Sequence, residues 1–223
     1  MRSITRRSFI AGSLGVALAG LAGCGASASS SSSSASASSA DAATSASSAA
    51  AAADGPYASG THHATIEVES YGTIKLELDA DVAPITVANF AKLAGEGFYD
   101  GLTFHRIIEG FMVQGGDPNG NGTGGSDETI EGEFDANGHP NSISHVRGTI
   151  SMARSQAYNS ASSQFFIMQA DTPSLDGQYA AFGHVTEGIE VVDAMCEAAK
   201  PTDNNGTIAA ADQPRMTSVT IDD

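Results

Sequence analysis

From residue 62 onward the chain alternates between short apolar-polar patterns of two different periods. Ala64–Glu69 and Thr73–Leu78 alternate residue by residue, with Ser70-Tyr71-Gly72 between them, which predicts a β-hairpin. Pro84 opens a segment in which Val87, Phe90, Ala91 and Ala94 recur at helical spacing before Gly95 and Gly97, so a helix with a proline start and a glycine stop is expected. Short β-prone runs follow at 102–108, 111–114, 148–153, 164–168 and 181–185. A second helix is predicted near Ile189–Ala199, ended by Pro201, and a last strand at 217–222. Short strands with two widely separated helices indicate a mainly β, antiparallel sandwich or barrel; periodicity does not choose between the two.

The first 61 residues lie outside this pattern. Paired arginines, Arg6-Arg7, precede a glycine-broken apolar run from Ala11 to Ala22 that is too short to span a bilayer. A positive start, a short apolar stretch and small residues at its end read as an export signal, of twin-arginine type, over residues 1–23. Leu21-Ala22-Gly23-Cys24 resembles a bacterial lipobox, in which cleavage precedes the cysteine and the thiol is acylated. Cys24 is therefore the expected lipid attachment site and the expected membrane partner is the bilayer to which it is anchored, outside the cytoplasm. Residues 24–61 are dominated by Ser and Ala, offer no large side chains to bury until Pro56 and Tyr57, and read as a tether. Residues 62–223 are the size of one domain.

Charge narrows the partners. The formal net charge is -16, and loss of Arg2, Arg6 and Arg7 with residues 1–23 brings it near -19, which argues against nucleic acid. No histidine spacing suggests a metal, the glycine-rich 115–125 stretch lacks a phosphate-loop ending, and no Gly-x-Ser-x-Gly elbow supports a hydrolase. Cys196 falls among Val192, Met195 and Ala199 at helical spacing and reads as core.

Basic residues are few, yet Arg106 lies in Phe104-His105-Arg106-Ile107-Ile108-Glu109-Gly110-Phe111-Met112-Val113-Gln114-Gly115-Gly116-Asp117. A guanidinium among apolar groups is either hydrogen-bonded, for example to Glu109, or placed at a site. This string resembles the motif around the catalytic arginine of the cyclophilins, and Gly122–Gly125, Ile150–Ala153, Ser163–Ile167, Leu175–Gly177 and Phe182-Gly183 follow in that family's order. The resemblance spans residues 62–223. It implies a closed eight-stranded antiparallel β-barrel capped by two α-helices, monomeric and cofactor-free, acting as a peptidyl-prolyl cis/trans isomerase on proline-containing polypeptides.

By the same resemblance Arg106 is catalytic, Phe111, Met112, Phe166 and Leu175 form a proline-ring pocket, and Tyr179 stands beside it. Gln114 holds the substrate carbonyl, while main chain at Ala153 and Arg154 grips the peptide and Gln164 and Ser155 line a neighbouring pocket. Arg154, Ser155, Ser174 and Tyr179 depart from the eukaryotic pattern of asparagine, a small apolar residue, tryptophan and histidine; loss of that tryptophan implies weak cyclosporin binding. The rival reading is a proline-peptide binding module or holdase with little turnover, which would tolerate loss of Arg106.

Overall fold

The computed structural model describes residues 55–223. The export signal, the lipobox cysteine Cys24 and nearly all of the tether lie outside the described residues. Eight strands and two α-helices follow one another as β1 (Thr61–Val68), β2 (Gly72–Asp79), α1 (Pro84–Gly95), β3 (Thr103–Ile108), β4 (Met112–Asp117), β5 (Thr149–Met152), β6 (Phe165–Met168), β7 (Ala181–Glu187), α2 (Ile189–Ala198) and β8 (Met216–Ile221). Every predicted strand and helix is present, with boundaries shifted by a few residues. The β1–β2 hairpin turns through Ser70 and Gly72, both at positive φ.

The strands form one antiparallel sheet in the order β3-β4-β6-β5-β7-β2-β1-β8. The expected closed barrel is not realised: β3 and β8 are left as edges. One isolated bridge, Thr103 to Arg215, and a few backbone hydrogen bonds such as Phe104 N–H to Pro214 O (2.9 Å) span the seam. The reason is local. β3 bulges twice against β4, β1 bulges against β8 at Glu67/Val68, and the outer side of β3 pairs instead with residues 206–208 through Ile107 N–H to Gly206 O and Ile208 N–H to His105 O (both 2.9 Å).

One face of the sheet is filled by the main apolar core. Ile107, Val113, Ile167 and Ile150 form a cross-strand row over β3, β4, β6 and β5, all fully buried. Helix α1 packs against β2 and β8 and drives Phe90 among Tyr99, Phe165 and Phe182, with ring centroids 5.2 to 5.6 Å away. Its first turn has no cap from its own sequence. Instead the buried Glu133, from a distant loop, accepts hydrogen bonds from Ile85 N (3.0 Å), Thr86 N (2.7 Å) and Thr86 Oγ1 (2.6 Å), placing a carboxylate at the positive end of the helix dipole. Helix α2 packs on β2, β3 and β4 and buries Val192, Met195 and Cys196. Burial pushes the Cys196 thiol up to about 12, so it is an unreactive core residue.

Candidate active site

The opposite face of the same strands carries Arg106 and Gln114. Because side chains alternate along a strand, the row next to the core row points the other way. Register places Arg106 opposite Gln114, Gln114 opposite Phe166, and Phe166 opposite Ser151, one residue from each of β3, β4, β6 and β5. Two positions along, Ile108, Met112 and Met168 face the same way. Met112, Phe166 and Met168 form a second, smaller apolar cluster with Phe111, Ala153, Leu175 and Tyr179 packed against it.

A cavity of about 210 Å³ opens there, lined by Arg106, Phe111, Met112, Gln114, Ala153, Arg154, Phe166, Leu175 and Tyr179. Eight strand and loop residues expected to hold a proline peptide are therefore assembled around Arg106. A second cavity of about 250 Å³ shares Gln114, Ala153 and Arg154 and is otherwise polar, lined by Gly122, Thr123, Gly124, Ser155, Ser160, Ser162 and Gln164. Gln164 thus lines the neighbouring cavity with Ser155, as expected. No carboxylate lines either cavity.

Arg106 is aimed by neutral groups. Its Nε–H donates to Asn205 O (2.8 Å) and one terminal nitrogen donates to Gln114 Oε1 (3.1 Å), while Met112 Sδ lies 3.8 Å away. The guanidinium carbon is 6.0 Å from the Phe111 ring centroid. The ion pair to Glu109 that sequence left open is not formed. Burial lowers the Arg106 pKa, opposed by Tyr179 and Asp203, and an arginine stays charged under such a shift. Gln114 is oriented in turn: its amide nitrogen donates to Gln164 Oε1 (2.9 Å), whose own amide donates to Gly124 O (2.7 Å). This chain of amides has one direction, and it presents an oxygen to Arg106.

Arg154 does more than main-chain work. Its guanidinium carbon sits 4.8 Å from the ring centroids of both Phe134 and Tyr179 and 5.1 Å from that of Tyr158, and it donates twice to Gln178 O (3.1 and 2.7 Å). The side chain therefore braces Tyr179 at the cavity wall. The Ala153 N–H is already taken by Gln164 O (2.9 Å), so any grip on a peptide at this point uses other main-chain groups. Sequence reasoning missed Asn205, which anchors Arg106 across 99 residues through its carbonyl; a backbone acceptor leaves no side-chain signature. It also missed His105, buried beside Arg106 with both ring nitrogens unpartnered. Burial lowers the His105 pKa, as Arg106 does more weakly, against an opposing Asp117.

The outer face of this mainly β sheet thus brings together an arginine, an amide and an apolar pocket. The family model for cyclophilin type peptidyl-prolyl cis-trans isomerases matches residues 63–221, and the chain belongs to that family. It is similar to peptidyl-prolyl cis-trans isomerase B of Bacillus subtilis, 48% identical over 128 residues that make up 57% of this chain and 86% of that protein. A peptidyl-prolyl cis-trans isomerase of Helicobacter pylori is 48% identical over 137 residues, 60% of this chain and 80% of that one. Among solved structures, a cyclophilin type isomerase from Cryptosporidium parvum aligns with TM-score 0.65 at 29% identity over 74% of this chain and 99% of its own. A second structure of it, in the presence of the dipeptide Ala-Pro, aligns with TM-score 0.63 at 31% identity over 72% and 99%. The activity is peptidyl-prolyl cis-trans isomerisation.

Proposed function

We propose that Arg106 catalyses rotation about X-Pro bonds by donating to the proline nitrogen, on the outer face of a domain tethered by lipid to the cell membrane. The observation that carries the reading is the cross-strand row Arg106, Gln114, Phe166, which sets an oriented guanidinium beside a carboxylate-free apolar cavity. The barrier to be lowered is about 18 to 20 kcal/mol, and it arises from amide resonance. As the bond twists, resonance is lost, the proline nitrogen becomes pyramidal and its lone pair becomes available. A donor fixed before the reaction then binds the twisted state better than either planar one.

In this reading the proline ring occupies the cavity of Phe111, Met112, Phe166, Leu175 and Tyr179, while Gln114 holds the substrate carbonyl. The peptide lies along Ala153 and Arg154 towards Gln164. A relative studied in the presence of the dipeptide Ala-Pro supports a proline-containing ligand for this chain. Clients are proline-containing segments of exported proteins, met outside the cytoplasm while they fold. Cys24, in its lipobox-like setting, is the lipid attachment point, and residues 24–61 are the spacer. Washing cells with high salt and then with detergent tests the anchor, since release by salt alone removes the lipid from the account.

The enzymatic test is the isomerisation rate of a short X-Pro peptide with wild type and Arg106→Ala. A fall in kcat/KM of about two to three factors of ten, equal to roughly 3 to 4 kcal/mol of transition-state stabilisation, is expected. An Arg106→Ala variant that isomerises within threefold of wild type overturns the mechanism.

A further inference from the structure

Behind the apolar cavity lies a buried histidine for which this mechanism has no task. His145 is 1% exposed. Its Nδ1 is 2.9 Å from Asp176 Oδ1 and its Nε2 is 3.1 Å from Ser151 Oγ. An ionised carboxylate only accepts, so these partners assign the ring proton to Nδ1 and make Nε2 the acceptor from Ser151. The backbone of the same residue is tied to the same loop: His145 N donates to Asp176 Oδ1 (2.7 Å) and His145 O accepts from Thr172 N (2.7 Å). That loop, Thr172–Asp176, carries Leu175 into the cavity wall.

The face of the His145 ring is used as well. It lies nearly parallel to Phe166, 18° between planes and 6.0 Å between centroids, and Tyr179 meets both rings edge-on at 6.4 and 5.7 Å. One residue therefore backs Phe166 by stacking, touches Tyr179, and fastens Leu175 through Asp176. These are three of the apolar walls of the cavity.

We propose that His145, acting through Asp176, is a positioning residue that keeps the proline-ring cavity rigid during bond rotation. The inference rests on the reading of that cavity as the ring site. Rotation about X-Pro needs one side of the bond held while the other turns, and a ring seated in this cavity is the held side. A yielding wall lets the ring follow and forfeits stabilisation of the twisted state, while ground-state binding is less affected.

Three variants of the full chain test this with an X-Pro peptide. His145→Phe keeps an aromatic face but makes neither hydrogen bond, and Asp176→Ala releases the loop from the other side. Both are expected to lower kcat about five- to tenfold with KM changed less than about threefold. Asp176→Asn retains an acceptor for the ring and backbone N–H groups and is expected to restore most of the kcat lost in Asp176→Ala.

Wild-type kcat in either His145→Phe or Asp176→Ala overturns the proposal. So does a loss that merely follows the folded fraction measured by circular dichroism at the assay temperature, which is what a purely structural histidine would give. Phe166→Ala separates the two layers of the argument: if it leaves kcat/KM intact, the ring-site reading itself fails, whereas an impaired Phe166→Ala beside a silent His145→Phe removes only the positioning role.

Discussion

Gln164 offers a sharp test because its effect is expected to travel through two other side chains. Its oxygen accepts from Gln114 and its nitrogen donates to Gly124 O, which leaves the Gln114 oxygen facing Arg106. Gln164→Met keeps the length and most of the volume but removes both polar ends. Each neutral hydrogen bond lost costs about 0.5 to 1.5 kcal/mol, and the bond from Arg106 to Gln114, being charge-assisted, contributes about 1.5 to 3 kcal/mol. Once Gln114 is free to turn its amide, part of that last term is lost from the transition state and part is recovered through water. A loss of about 1 to 2 kcal/mol is expected, which is about five- to thirtyfold in kcat/KM.

The assay is peptide isomerisation in a double-mutant cycle with Arg106→Ala. If Gln164 acts through the arginine, Gln164→Met has little further effect once Arg106 is gone. Additive losses refute the amide chain. A rise in KM with kcat unchanged points instead to direct contact between Gln164 and peptide in the neighbouring cavity.

Two further outcomes concern stability. Burial lowers the pKa of both His105 and His145 from 6.5, so the unfolded chain binds more protons than the folded one just below that value. Stability is then full above about pH 7 and falls as pH drops below 6.5, by up to about 1.4 kcal/mol per pH unit for each histidine. The lowered pKa values of Asp117 and Asp176 contribute stability that is lost only below their ordinary 3.8; a Tm that is flat between pH 7 and 5 contradicts the histidine assignment. Replacing the capping carboxylate, Glu133→Gln, is expected to cost about 1 to 2 kcal/mol, or roughly 2 to 8 °C in Tm, with kcat/KM unchanged; an unaltered Tm would mean that the first turn of α1 is satisfied without it.

The strands and helices were legible because each has a period that survives without tertiary knowledge: alternation in β1 and β2, and the Val87, Phe90, Ala91, Ala94 stripe in α1. Arg106 stood out as one of few cations in an acidic chain. Cross-strand register was not legible, since two bulges in β3 decide which residue faces Gln114. Closure of the barrel was expected from the family resemblance alone, since periodicity left sandwich and barrel open, and the bulges that leave β3 and β8 as edges are recorded in no hydrophobic pattern. Glu133 caps a helix 47 residues earlier in the chain, and Asp176 holds a histidine 31 residues away. Such contacts join polar residues of unremarkable spacing, and only the fold gives them meaning. Arg154 was read as a main-chain contact because nothing local hints that Phe134, Tyr158 and Tyr179 converge on it.

The seam beside β3 has a consequence for how the enzyme breathes. Amide hydrogens inside a continuous ladder exchange with solvent only when several strands part together, whereas those along 205–208 are expected to need only a local excursion. Asn205, whose carbonyl steadies Arg106, belongs to that stretch. Arg106, the proposed catalytic residue, is therefore moored to a stretch joined to β3 by isolated bridges rather than a full ladder, so warming is expected to blunt the active site before it melts the domain, with deuterium uptake at 205–208 reporting the loss first.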